Sequence, residues 1–366
     1  MRSTREQTEL RAGLHERLTR TDAGVVVALI AAGAGILGSV FAGLIARSAQ
    51  VRVARLTAAL EEKRAESDAW RAYEFEARKH LYDVYEPLRV RLLACTDNAV
   101  SQIVDIVGRP LTGDTTESSP GYGLKAAMYY LLARLVVARM IERQLTLVDL
   151  GLDERIHSEF VLAQAICRTV ADEAHAAQIA PVLPYSPYVP GWREKREECP
   201  QRFRRQGLPL GRLNTALDLL HIARPGGPET LMTFGEFEPL VDSLDMADLR
   251  TGPGAARDLI VDFDPISRPV LWRVFVIQSL LYWCFQQTVF GQPLPEDADL
   301  EREFNASNAH KRLIEAVESR PDADKVEPIA TSVIVATTYF KERVLPGMRR
   351  AKLLARSPVT SQRLNV

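Results

Sequence analysis

The sequence predicts an all-α protein: an N-terminal transmembrane helix, a helical stalk with the pattern of a coiled coil, and a C-terminal helical domain. Three observations predict it. Residues 23–46 (AGVVVALIAAGAGILGSVFAGLIA) carry no charge over 24 positions. Residues 51–85 contain neither Gly nor Pro and consist mostly of helix formers. Further on, no apolar run alternates with period two between turn signals, and no regular βα spacing recurs. The 366 residues divide into an N-terminal segment (1–22), the membrane helix (23–46), the stalk (47–86), an all-α soluble domain (87–346) and a basic tail (347–366). That is ample chain for a core.

A 24-residue helix is about 36 Å long and crosses a hydrocarbon core of about 30 Å with some tilt. A cleavable signal has a short basic leader and an apolar stretch of about 7–15 residues. Here 22 residues of mixed charge precede a much longer run, and no small-residue cleavage site stands before Arg47. The run reads as a retained anchor. Arg17 and Arg20 flank it on one side and Arg47, Arg52 and Arg55 on the other, with Lys63 and Arg64 further on. This charge difference places the bulk of the chain on the cytoplasmic side of a cell membrane. Cys95, Cys167, Cys199 and Cys284 form no C-x-x-C and fit a reducing compartment as idle thiols.

Thirteen of the 24 anchor residues are Gly, Ala or Ser. Ala31, Gly35, Ser39 and Gly43 recur at every fourth position, and Gly38, Ala42 and Ala46 form a second such row. Small faces let helix backbones approach closely, so the anchor is expected to pack against a second copy. The alternative is that a Gly/Ala-rich genome fills a span with small residues. Residues 274–290 are also uncharged, but the run has only 17 residues and includes Gln278, Gln286 and Gln287. A buried core helix suits it better than a second crossing.

Along the stalk a 3-4 spacing runs through Ala49, Val53, Leu56, Leu60, Lys63, Ser67, Trp70, Glu74, Ala77, Leu81, Val84 and Leu88. The exceptions to its apolar character fall mid-stalk. A coiled coil explains the row, and a helix docking on its own domain explains its C-terminal half equally well. Pro87 is expected to kink or restart the helix. After the loop 109–123, apolar helices are expected at 124–147 and 154–177, joined at Asp149-Leu-Gly151 with Gly151 as C-cap. In the Pro-rich loop 179–211, Pro181, Pro184, Pro187 and Pro190 recur every third residue and would line one edge of a polyproline II helix. Such an edge is a strap over its own domain or a ligand for an aromatic groove. Further helices are expected at 208–223, 269–290, 308–319 and 326–344.

Signatures of chemistry are sparse. The phosphate-loop, dinucleotide, zinc-protease and nucleophile-elbow patterns are absent. His157-Ser-Glu159 opens like a zinc deaminase but lacks the cysteine pair. No cofactor or metal set is indicated. Asp262-Phe-Asp264 has the form of a metal or nucleotide-sugar motif, although Asp264 before Pro265 also suits a helix start. With Glu236 and Glu238 these residues form an acidic set able to do acid–base work if they converge; first-turn acids are the simpler reading. Arg193, Lys195, Arg196, Arg202, Arg204 and Arg205 are candidate contacts for phosphate or lipid headgroups. Arg349, Arg350, Lys352, Arg356 and Arg363 give the tail a positive charge suited to anionic lipid. The net charge of −1 at pH 7 argues against nucleic acid as a partner.

The segments LTLVDLGL (145–152), RRQGLPLGRLN (204–214), MTFGEFE (232–238) and SRPVLWRVFVIQ (267–278) together resemble a group of uncharacterised proteins from high-GC, actinobacterial-type genomes. The resemblance covers most of the chain after the stalk and implies a bacterial, helical, membrane-attached protein. It brings no activity, ligand or catalytic residue. The expected function is that of a membrane-anchored scaffold or sensor, self-associating, with the lipid bilayer, a second copy and a further protein as partners. The alternative is a membrane-tethered enzyme acting on a phosphorylated or nucleotide substrate.

Overall fold

The computed structural model describes residues 3–109, 121–146, 148–183, 206–222, 229–245 and 252–356, with backbone alone at 3–23, 36–37 and 351–356. The chain is 81% helical, so the all-α reading holds. It divides into two compact units, Met1–Phe75 and Glu76–Val366.

Helix α1 (Ser3–Gly108) is continuous, with Pro87 in its interior rather than at a restart. Among the described residues it is the one helix long and apolar enough to cross a membrane. Within the first unit its described large apolar side chains between Val25 and Ile45 are 53–67% exposed, and no other described residue covers them. In the second unit the same helix behaves differently. Leu81, Tyr85, Leu88 and Leu92 are buried in the domain core. The C-terminal part of the 3-4 row therefore docks on its own domain, while the part before Phe75 stays uncovered.

In the second unit α2 (Tyr122–Leu145) packs on α3 (Glu154–Thr169), and α3 packs in turn on α8 (Pro269–Val289). Asp153 caps α3, its carboxylate accepting from the Arg155 and Ile156 amides at 2.8 and 3.0 Å. Gly151 is not the C-cap of α2. That helix ends at Leu145 with Thr146 as its C-cap, and Asp149 instead accepts from the Gly151 amide, closing a 3₁₀ turn at Leu150–Leu152. The helix expected over 154–177 breaks after Thr169 and resumes as the short α4 (Glu173–Gln178). The Val170 carbonyl freed at the break accepts from the Leu208 amide at 2.9 Å, a tertiary partner that no local pattern announces.

Helix α5 (Leu210–Leu220) leads into a two-residue antiparallel ladder, β1 (His221–Ile222) with β2 (Thr230–Leu231). The strands were not expected, being too short to show alternation. Then come α6 (Phe234–Ser243), α7 (Gly252–Ile260) and the core helix α8, which is buried from Pro269 to Phe285. Residues 274–290 thus belong chiefly to the centre of the domain. Two polar side chains close the ends that meet here. Gln206 accepts from the Val270 and Leu271 amides at the start of α8, and Arg268 donates to the carbonyls of Asp258, Leu259 and Val261 at the end of α7. Last are α9 (Leu300–Ala306), α10 (Asn308–Glu318) and α11 (Ile329–Tyr339). A π-helical turn (Phe340–Val344) then leads into α12 (Leu345–Arg356).

Candidate functional site

A cleft of about 950 Å³ opens between the first turn of α3, the loop after α8, and the start of α12. Three local features build it. Helix α8 ends on Gly291, whose φ of +71° is the left-handed conformation that glycine adopts without strain. The Gln292 amide donates back to the Gln287 carbonyl at 2.8 Å and the Gly291 amide to Thr288 at 3.1 Å, satisfying carbonyls the helix leaves open. Pro293 and Pro295 then keep the loop from continuing as helix. On the opposite wall, Gly347 lets α12 lie close to α3: a Cβ there would come within 2.9 Å of Val161. The preceding π turn sets which residues of α12 reach the cleft, bringing Leu345, Met348 and Arg349 to its lining. Arg349 meets Asp297 of the loop at 2.9 Å.

Behind Arg155 in the cleft wall runs a chain of charges. Arg155 lies 3.3 Å from Glu86, and Glu86 takes two hydrogen bonds from Arg89 at 2.9 and 3.0 Å. Arg89 also lies 3.2 Å from Glu159 and donates to the Val289 carbonyl, tying α1 to the end of α8. Glu159 is fully buried and accepts from the Tyr85 hydroxyl at 2.5 Å, while its Oε1 has no hydrogen-bond partner among the described residues. Burial raises the Glu159 carboxyl above its ordinary range against the pull of Tyr85 and Arg89, and it also pushes the Tyr85 phenol well up. Tyr82 adds a second link, donating to Asp153 at 2.7 Å. The network joins α1, α3 and α8 and reaches the cleft through one guanidinium. Of these five residues Tyr85, Glu86, Arg89 and Arg155 did not stand out in the sequence, and Glu159 did so only within the rejected His157-Ser-Glu159 motif. The available signal was the spacing of Glu86 with Arg89 and of Arg155 with Glu159, three and four positions apart on helices.

The acidic set does not converge. Glu236 closes a capping box with Thr233, accepting from the Thr233 amide at 2.8 Å. Glu238 lies 3.6 Å from Lys125 of α2, and Asp242 takes that ammonium at 2.7 Å. Asp262 occupies a turn with φ of +50°. Asp264 does not cap α8, which starts at Pro269. It accepts from the Ser267 amide in the preceding turn and pairs with Arg320 at 2.8 Å. No three His, Cys, Asp or Glu side chains among the described residues are grouped to hold a metal ion. Arg193, Lys195, Arg196, Arg202, Arg204 and Arg205 lie outside the described residues, as does the proline edge from Pro184 onward. In the anchor, Ala31, Gly35, Ser39 and Gly43 are exposed within the single chain.

Three of the four cysteines are described. Burial raises the thiols of Cys95 and Cys167 to about 11 and that of Cys284 further, so all three stay protonated at neutral pH. Arg134, near the middle of α2, is the other unusual group. It is 1% exposed, burial alone lowers it to about 9, and its Nε and Nη1 have no hydrogen-bond partner among the described residues. Comparison of the chain with protein-family models, curated proteins and solved structures finds no match.

Proposed function

We propose that this is a single-pass membrane protein, self-associating through its anchor and stalk, whose cytoplasmic helical domain acts as an interaction or sensor module. One observation carries the reading. The apolar run of α1 exposes more than half of each described large side chain to whatever surrounds the single chain, over a length that matches a bilayer. Leaving that surface in water costs about 25 cal/mol per Å² of apolar area, so the surroundings must be lipid, another helix, or both.

The sensor role is supported by the connection between cleft and helix. A cavity of this volume suits a small ligand or a short peptide segment. It is lined by apolar groups (Leu294, Leu345, Met348) and by charges of both signs (Glu154, Arg155, Glu296, Arg349). An occupant that engaged Arg155 would compete with Glu86 and, through Arg89, with Glu159. That shifts contacts on the same helix that carries the anchor. Of the acidic residues expected to serve a tethered enzyme, Glu236 closes a cap, and Glu238 and Asp264 are held in ion pairs.

The test is biochemical fractionation of the full chain in a bacterial host. The protein should stay with the membrane pellet after alkaline carbonate extraction, and its domain should resist protease added outside spheroplasts. Ile30→Asp should release it. A mature chain lacking residues 1–46 would instead identify a cleaved signal and overturn the reading.

A further inference from the structure

The uncovered part of the 3-4 row lies outside the apolar run. Val53, Leu56 and Leu60 are 62%, 65% and 58% exposed on one face of α1, and nothing among the described residues covers them. Large apolar side chains in water favour burial, and on a helix this spacing is buried by another helix with the same spacing. Followed toward the N-terminus, the same spacing passes through Ala49, Ala46, Ala42, Ser39, Gly35, Ala32 and Ala28, every one of them small. The change of size falls where the solvent changes. In lipid, apolar bulk gains nothing and close backbone approach is what holds helices together; in water, bulk is what drives association. Nothing in the chain itself requires smallness at Gly35, where a Cβ would meet no atom within 4 Å.

We propose that two copies pair in parallel along this single seam, from Ala28 to Leu60, as a left-handed coiled coil that crosses the membrane surface without changing register. The proposal rests on the self-association reading above and specifies its geometry. It also decides between rows. Residues spaced every fourth position advance about 40° around the helix at each step, and the row of Ala31, Gly35, Ser39 and Gly43 runs on into Arg47 and Arg55. A seven-residue repeat drifts only about 20° per heptad and supports a left-handed supercoil.

Charge placement agrees with a parallel second copy. Two chains anchored in one bilayer with the same orientation face each other in register. In that arrangement each flanking residue meets one five positions further on in its neighbour: Arg52 meets Thr57, Ala59 meets Arg64, and Glu66 meets Arg71 of the second copy. No like charges face each other in these pairs; the last lies just beyond Leu60 and is attractive, and it offsets the Lys63 side chains that face each other there. Within one chain Arg71 pairs with Asp68 at 3.6 Å with both side chains exposed, which competes weakly. Lys63 and Ser67 put two polar layers beyond Leu60; they lower stability and fix register. The seam therefore depends on the anchor rather than on a long stalk.

The test uses the full chain in native membranes, with cysteines introduced one at a time and oxidised. Val53→Cys, Leu56→Cys and Leu60→Cys should form disulfide dimers, and Ala54→Cys and Ala58→Cys on the opposite face should not. Ala42→Leu should lower the dimer fraction more than Gly43→Leu. Glu66→Arg should weaken association about 3- to 10-fold, and adding Arg71→Glu should restore it. Dimers without preference for 53, 56 and 60 would overturn the seam and leave self-association standing. A monomer under all conditions, by chemical crosslinking and in mild detergent, would overturn both.

Discussion

Arg134 and Arg273 are both enclosed guanidinium groups, and they should respond oppositely to the same substitution. Arg273 is fully buried but completely engaged. It meets Glu327 at 2.6 Å and donates to the carbonyls of Ala176, Ile179 and Pro181, which fixes the chain where it enters the Pro-rich segment. Arg273→Met would take the charge partner from Glu327, leave three carbonyls without this donor, and should cost about 3–5 kcal/mol. Arg134 is held in α2 at the expense of its own desolvation, with Nε and Nη1 unsatisfied among the described residues. Arg134→Met fills similar volume without that charge and should raise stability by about 1–4 kcal/mol. Urea unfolding of the two variants checks both signs, and a loss of stability in Arg134→Met would show that this guanidinium has a compensating partner. The sequence marks both arginines as charges inside apolar helices. It does not distinguish them, because the partners of Arg273 come from segments about 50 and 90 positions away.

At the scale of elements, the end of α8 gives the clearest prediction. Gly291→Ala forces a Cβ into a left-handed backbone at the turn that shapes the cleft. It should cost about 1 kcal/mol and be read as a lower thermal midpoint of the purified chain. No change would mean that the turn re-forms with another conformation. The elements that were legible are those whose signals are local. Helix α8 announces itself by Pro269 at its first position and an apolar run, and α6 by its Thr233–Glu236 capping box, read there only as an acidic first turn. The break between α3 and α4 was not legible, since Leu208 claims the Val170 carbonyl from a distance. Neither was the π turn at Phe340–Val344, which differs from an α-helix only in hydrogen-bond register. The acidic set was legible as separate helix and turn residues rather than as a site. The network behind the cleft was legible only as two charge pairs at helical spacing, because proximity between Glu86, Arg155 and Glu159 depends on how α1 and α3 pack.

For the whole molecule, pH tests how the domain holds its buried polar groups. His310 is 5% exposed, its Nδ1 lies 3.1 Å from the Asn305 carbonyl, and its Nε2 is buried without a partner among the described residues. His157 has a buried Nδ1 in the same condition. Burial lowers both imidazoles below their ordinary value of 6.5, so the folded chain keeps them neutral while the unfolded chain takes up protons first. The sign follows. Their contribution is fully present above the unfolded value and is lost as pH falls through it, because protonation then favours the unfolded state. Lowering the pH from about 7 to about 5.5, a span that brackets the ordinary histidine value, should therefore reduce the thermal midpoint of the parent chain more than that of His310→Gln. Replacing His157 in addition should flatten the dependence further. Equal slopes in parent and variants would mean that both rings accept a proton without leaving their places, and that the polar groups enclosed by α3 and α10 find partners in their charged form.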